Sequence, residues 1–283
     1  MAGVAASDVS IVVSVYRDLA GLSLVLESLQ AQTAEGFEII VSEDGECDEV
    51  KSFLKTVDNP QLKHLSQPDR GWQKSLALNR AIKTARGEYL VFIDGDCVPN
   101  RNFVTAHAAL AEQGCYLVGR RVFLGPEMST ALKTRQVSFI KFEKEYLRHI
   151  VKLHRDGVRH FEDGIALPAT SLTQSIMTFM RGIPNIVGCN FSCFKKDMVA
   201  INGFDEDYEG PCVGEDEDIV WRLQACAIMP KSCRNFANIF HLEHPKNTSD
   251  AIHREHKNLM LKKIEAGQFF CRNGIEKNLN RGG

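Results

Sequence analysis

A chain of 283 residues with an apolar share of 44% can fill the core of one large α/β domain or two small ones, and a formal net charge of -2 argues against a general nucleic-acid binder. No apolar run reaches membrane-spanning length, and the start Met-Ala-Gly-Val-Ala-Ala-Ser-Asp lacks the basic end and long apolar stretch of a signal peptide, so a cytoplasmic protein is expected. Nine cysteines, an odd number without a Cys-x-x-Cys pair, suit reduced thiols; Cys189 and Cys193 have no second pair to complete a zinc site, and the sequons at Asn190 and Asn247 are expected to be idle.

Val9 to Val15 is a β-branched run and reads as the first strand, ending at Tyr16-Arg17-Asp18. Leu22, Val25, Leu26 and Leu29 follow the spacing of a helix packed on a sheet, and Phe37 to Ser42 supplies the next strand with Glu43-Asp44-Gly45 at its end. Strand, helix and strand with ligand-capable residues at strand ends is the doubly wound pattern, in which substrates bind outside the carboxyl ends of the strands. Asp48 to Val57 reads as a helix and Leu62 to Leu65 as a short strand. Gly71 to Ala85 reads as a helix with Leu78, Ala81, Ile82 and Ala85 toward the core. Lys74 and Asn79 fall on its other faces, where solvation and nucleotide contact are equal readings.

Leu90 to Ile93 has the content of a strand buried on both faces, and it delivers Asp94-Gly95-Asp96 at its end. Two carboxylates at the mouth of a buried strand need a compensating charge, and hard oxygen ligands suit Mg2+ or Mn2+ carrying a phosphate-bearing substrate. Spacing alone is weak evidence, because surface turns also contain Asp-x-Asp. A helix through Phe103, Ala106 and Leu110 and a strand or strand pair within Cys115 to Leu124 follow. Leu132 to Arg159 interleaves basic and apolar residues; a solvated face is the plain reading, and contact with an anionic membrane or charged acceptor the functional one.

Val187 to Phe194 alternates like a strand, followed by a short helix over Lys196 to Ile201 and by Gly203-Phe204-Asp205-Glu206. Gly214-Glu215-Asp216-Glu217-Asp218 opens a further helix. Helix capping explains acidic residues there, yet four in a row exceed that need, and one carboxylate held near a hydroxyl can act as a general base. His241 and His244 follow a short strand. Ala251 to Ala266 reads as the last helix and Gln268 to Gly283 as a loosely held tail.

In their order and spacing, the strand ending at Tyr16, the Glu43-Asp44-Gly45 turn, the Ala77-Leu78-Asn79 helix, Asp94-Gly95-Asp96, Gly203-Phe204-Asp205, Glu215-Asp216 and His241 resemble the family 2 glycosyltransferases with the GT-A fold. The resemblance runs from Val9 to about Pro245. The segment from Gly203 to Asp216 is similar to the subgroup containing chondroitin-type polymerases and galactosyltransferases. It implies a Rossmann-like, mostly parallel central sheet flanked by helices in one globular domain. Residues 1–124 would be the nucleotide-sugar-binding half, 125–267 the acceptor-binding and catalytic half, and 268–283 a tail. By the same resemblance, Tyr16 packs on the nucleotide base, and the backbone at Val15 with Asp44, beside Glu43, reads the base edge. Asp94 and Gly95 lie near the ribose, and Asp96 holds the metal that bridges the diphosphate, with Asp94 nearby. His241 completes the coordination, with His244 as second choice. Asp216 is the base, and Glu215 beside it holds the acceptor. Glu43 stands where the family often has Asp, and Leu78 where it often has Arg or another polar residue.

The expected activity is that of an inverting, metal-dependent hexosyltransferase moving a sugar from a nucleotide donor, a UDP sugar first of all, to a hydroxyl of a glycan or lipid-linked acceptor in surface polysaccharide synthesis, with Mn2+ or Mg2+. Soluble members often work at the inner face of a membrane, which Leu132 to Arg159 would contact peripherally. Two other readings stand beside it. One is a noncatalytic binding module for nucleotide sugars or carbohydrates. The other is a sugar-nucleotide-synthesising transferase, against which Tyr16-Arg17-Asp18 stands in place of a glycine-rich phosphate loop.

Overall fold

The computed structural model describes residues 3–210, 213, 216–245 and 250–277. In chain order the strands are β1 (Val9–Val15), β2 (Glu38–Asp44), β3 (Leu62–Gln67), β4 (Tyr89–Asp94), β5 (Cys97–Pro99), β6 (Cys115–Val118), β7 (Arg121–Phe123), β8 (Phe191–Phe194), β9 (Met229–Ser232) and β10 (Ile239–His241). The helices are α1 (Leu19–Gln30), α2 (Asp48–Leu54), α3 (Lys74–Thr84), α4 (Phe103–Leu110), α5 (Pro126–Lys133), α6 (Phe139–Lys144), α7 (Ile150–Arg155), α8 (Ser171–Arg181), α9 (Lys195–Ala200), α10 (Glu217–Ala225) and α11 (Asp250–Glu265).

A seven-stranded sheet has the order β3-β2-β1-β4-β8-β6-β9. β1 runs parallel to both β2 and β4, and β8 is antiparallel to β4 and β6. Every residue of β1 is buried because helices cover both faces. Ile11, Val13 and Val15 face a core shared with Leu22, Val25 and Leu29 of α1. Val12 faces the opposite core with Ile40, Leu90, Phe92 and the Leu78, Ala81 and Ile82 face of α3. Burying each such side chain stabilises the fold by roughly 1.5–3 kcal/mol. This is the mostly parallel, helix-flanked sheet expected.

A second, three-stranded sheet (β5-β10-β7) is what assembles the site. β10 pairs antiparallel with β5, setting His241 opposite Cys97, and parallel with β7, setting His241 opposite Phe123. The Cys115–Leu124 stretch is therefore a strand pair divided between the two sheets. Close approach also matters under the Asp94-Gly95-Asp96 turn: a side chain at Gly21 would put its Cβ 2.7 Å from the Gly95 carbonyl, so only glycine lets α1 begin there.

Several extents differ from the sequence reading. β2 continues through Asp44, so Glu43 lies within the strand, and α3 starts only at Lys74. The basic stretch from Leu132 to Arg159 is broken into short pieces. Phe139, Phe142 and Tyr146 drop into the core against Phe240, leaving too few turns for a long amphipathic helix. The described part of the C-terminal segment, 268–277, is held rather than loose: Cys271 is buried, and the Asn202 side-chain amide donates to the carbonyls of Cys271 and Glu276.

Candidate active site

A cleft of about 1660 Å³ opens at the carboxyl ends of β1 and β4. Its lining includes Val15, Tyr16, Asp44, Trp72, Lys74, Asp94, Gly95 and Asp96, together with Asp216, Glu217 and Gln224 of the α10 region. The sheet brings the acids to this place because β1 and β4 run in register, Ser14 opposite Asp94, and the Gly95 amide donates to the Ser14 carbonyl at 2.7 Å.

Tyr16 is half-exposed, and its hydroxyl donates to Asp69 at 3.0 Å, with Arg17 ion-paired to the same carboxylate at 2.8 Å. Trp72, also partly exposed, lines the same end of the cleft, and neither composition nor periodicity had marked it. Asp44 lines the cleft with its carboxylate already engaged by the Gln67 side-chain amide at 2.9 Å and the Gln73 backbone N–H at 2.8 Å. That engagement orients Asp44 and joins β2 to the start of α3.

Glu43 and Asn79 do not line the cleft. Glu43 is buried against His64, whose Nε2 lies 2.8 Å from its carboxylate. Asn79 is neither solvated nor facing the cleft. Its amide donates to the Phe204 carbonyl at 2.8 Å and to Glu206, and its oxygen accepts from the Phe204 N–H at 2.8 Å. Asn79 thus ties α3 to the Gly203-Phe204 turn, which is a structural assignment in place of a nucleotide contact.

Asp94 accepts from the Lys74 ammonium at 2.8 Å. Its other ligand-capable neighbours are the thiols of Cys97 and Cys189, so it stands apart from the cluster that contains Asp96. Asp96, His241 and His244 offer ligand atoms that all lie within 4.8 Å of one another. His244 Nε2 is 3.0 Å and His241 Nε2 3.7 Å from the Asp96 carboxylate. Burial opposes ionisation of Asp96, but the hydrogen bond from His244 and the charges of both histidines hold its carboxyl well below the usual range. The same hydrogen bond to Asp96 lifts His244 to about 9, while burial pushes His241 down. The shared carboxylate and burial thus push the two imidazoles in opposite directions, and Nδ1 of His241 is buried with no hydrogen-bond partner among the described residues. A carboxylate with two imidazole nitrogens suits a divalent ion such as Mn2+, whose arrival would displace the His244 proton. His244, the second choice by sequence, belongs to this cluster as fully as His241.

Arg121 and Arg159 both stack on the Phe123 ring, at 4.7 and 4.2 Å from its centroid, and line the cleft beside His241. Sequence reading had not singled out Arg121, whose only signal was its placement with Phe123 in a short strand. Arg159 closed the basic stretch from Leu132 that was read as a solvated face or as a contact for an anionic membrane or charged acceptor.

The acidic run divides by role. Asp218 is fully buried and accepts from Arg222 Nε at 2.6 Å, Tyr208 at 3.0 Å and Trp221 at 3.0 Å. Glu217 is exposed and pairs loosely with Lys257 at 3.7 Å. Asp216, half-buried at the start of α10, lines the cleft. Glu215 lies outside the described residues.

The model of glycosyl transferase family 2 matches residues 10–162. The chain belongs to that family. A second family model, the N-terminal domain of galactosyltransferase, matches residues 171–245, so both matched segments contribute residues to the cleft lining. Among curated relatives, the family 2 chain is 29% identical over 119 residues to a hyaluronan synthase of Pasteurella multocida, covering 41% of this chain and 12% of that protein. It is 22% identical over 269 residues to a chondroitin synthase of Escherichia coli, covering 90% and 38%. It thus spans well under two thirds of these relatives' length. Solved structures share its GT-A fold. They include S. aureus TarS 1-349 in complex with UDP-GlcNAc (TM-score 0.57, 16% identity, 96% of this chain and 76% of that one). Another is a Pyrobaculum calidifontis mannosyltransferase in complex with GDP-Man and Mn2+ (TM-score 0.58, 16% identity, 92% and 64%).

Proposed function

We propose that the protein is an inverting glycosyltransferase that moves a sugar from a nucleotide donor, by preference a UDP sugar, to a hydroxyl of a glycan or lipid-linked acceptor in polysaccharide synthesis. The observation that carries this reading is that the Asp96–His241–His244 cluster and Asp216 line one cleft. The names of the hyaluronan and chondroitin synthases support the polysaccharide part, and the nucleotide sugars in the neighbouring structures support the donor class.

In this reading Tyr16 and Trp72 offer ring faces to the nucleotide base, and Asp44 and the Val15 backbone lie at its edge. Lys74, already paired with Asp94, holds that carboxylate in place beside the ribose and diphosphate. Asp96, His241 and His244 would hold the divalent cation, which supplies charge neutralisation on the departing diphosphate. Asp216 takes the proton of the acceptor hydroxyl as its oxygen bonds to the anomeric carbon and the bond to the diphosphate oxygen breaks. Attack from the face opposite the leaving group inverts the anomeric configuration. The walls of the cleft hold the two reactants in line, a positioning effect that adds to the base.

The test is UDP release from a panel of UDP sugars with and without Mn2+, for the starting protein, Asp96→Ala and Asp216→Asn. Metal-dependent release that both substitutions abolish is expected. Release from no UDP sugar, together with no nucleotide binding, would overturn the UDP reading, and binding without turnover would favour the noncatalytic module.

A further inference from the structure

Helix α8 is built inside out. Its inward side is mostly polar: Gln174 donates to the Ser232 carbonyl, Arg181 bonds Asn235 at 2.8 Å and pairs with Asp163 at 3.1 Å, and Met177 is the one apolar residue of the helix packed on the core. Its outward side is apolar, with Leu172, Ile176, Phe179, Met180 and, just beyond the helix, Ile183 all exposed; Phe179 is 92% exposed and Met180 71%. No residue of α8 is buried. Ordinary surface helices do the reverse, so packing within this chain does not explain the stripe.

The surroundings select what covers it. Arg181 also reaches Glu162 in the 3-10 turn Phe161–Gly164, and that turn packs its Phe161 ring on His154 of α7 and on Tyr146. α7 and the turn before it present a second outward band, in which Leu147, Ile150 and Val151 are exposed among Arg148, Lys152 and Arg155. Between positions 141 and 183 the exposed charged residues are Lys141, Lys144, Arg148, Lys152, Arg155 and Arg159 against Glu162, while Glu143, Glu145 and Asp156 are half-buried, in a chain whose net charge is -2. An apolar stripe joined to a concentrated basic band is complementary to an anionic lipid surface, where apolar side chains enter the acyl boundary and cations meet headgroups. A second copy of the chain would bring the same cations against each other.

We propose that α8 and the Leu147–Arg155 band together form a docking face for an anionic phospholipid surface. Ile183 and Arg159, at the edges of this face, also line the cleft, so docking sets the cleft mouth against the lipid. The binding itself does not depend on the glycosyl-transfer reading.

The experiment is flotation of the full chain with vesicles of phosphatidylcholine alone or mixed with phosphatidylglycerol. Binding is expected only to the mixed vesicles, weakened at least tenfold by raising salt from about 0.1 to 1 M, which shortens the Debye length from about 10 to 3 Å. Phe179→Ser with Met180→Ser, and separately Lys152→Glu with Arg155→Glu, should each lower the vesicle partition coefficient at least tenfold while leaving the melting temperature and nucleotide binding unchanged. Absence of binding to mixed vesicles would overturn the proposal, as would binding that neither pair of substitutions reduces. So would a stable dimer in sedimentation that Phe179→Ser dissociates.

Discussion

Two acids separated by a single residue at the start of α10 should fail in opposite ways. In Asp218→Asn the Arg222 guanidinium stays fully buried, still donating to the carbonyls of Ile201 and Gly203, but loses the carboxylate 2.6 Å from its Nε. Breaking a buried pair from one side costs about 3–5 kcal/mol. At roughly 2–4 °C per kcal/mol, the melting temperature should fall by roughly 6–20 °C. Asp216→Asn leaves a polar side chain at the helix start and removes no fully buried charge, so it should lower the melting temperature less than Asp218→Asn does. Its turnover should fall about 10²–10⁴-fold, the usual contribution of a positioned base. Calorimetry paired with UDP-release kinetics reads both quantities on the same preparations. Retention of turnover within about tenfold in Asp216→Asn would refute the base assignment. An unshifted melting temperature in Asp218→Asn would refute the buried-pair argument.

Burial holds the His107 imidazole at about 3 in the folded state, below its unfolded value near 6.5, so the unfolded chain takes up a proton that the fold refuses. Its contribution is therefore complete above pH 6.5 and is lost as pH falls toward 3, amounting to about 2–3 kcal/mol between pH 6.5 and 4.5. Denaturant titrations should show this loss shrinking by that amount in His107→Gln. At Gly203 the backbone has φ of +74°, and a Cβ would sit 2.3 Å from the Asn79 oxygen. Gly203→Ala should thus destabilise by about 2–5 kcal/mol, summing a left-handed residue and disrupted buried hydrogen bonds, and Asn79→Ala should make the two changes non-additive in a double-mutant cycle. Chelation followed by Mn2+ titration should show His244→Ala requiring more metal than the starting protein for half-maximal nucleotide-sugar turnover. An identical requirement would remove His244 from the cluster's function.

Residues whose signal is local were legible in the sequence. Asp94 and Asp96 were found because four apolar residues lead into them, and α1 and α3 because their buried positions repeat with helical period. What the sequence hid depends on which remote element arrives. Asn79 falls beside a core stripe, and nothing in the 3.6-residue period says that the Gly203-Phe204 turn will cover it. The choice between His241 and His244 hinges on the loop after β10, which curls both imidazoles toward one carboxylate. An apolar stripe on α8 reads the same whether it faces in or out, and only the polar anchors at Gln174 and Arg181 decide the direction. The described part of the tail, 268–277, is held where a loose segment was expected, because its fastening, Asn202, lies in another part of the chain.

The three-stranded sheet has a kinetic consequence. β10, which joins β5 to β7, comes from a distant part of the chain, and each of the three strands contributes only three residues to the ladder. Loop closure on that scale is entropically costly until the rest of the fold has condensed. The larger sheet, whose strands β1 to β4 are near neighbours in sequence, is then expected to form first. His241 would meet Asp96 only in the last stage, so the Asp96–His241–His244 cluster doubles as a sensor of complete folding: a chain emerging from the ribosome stays unable to assemble it until β10 has been made.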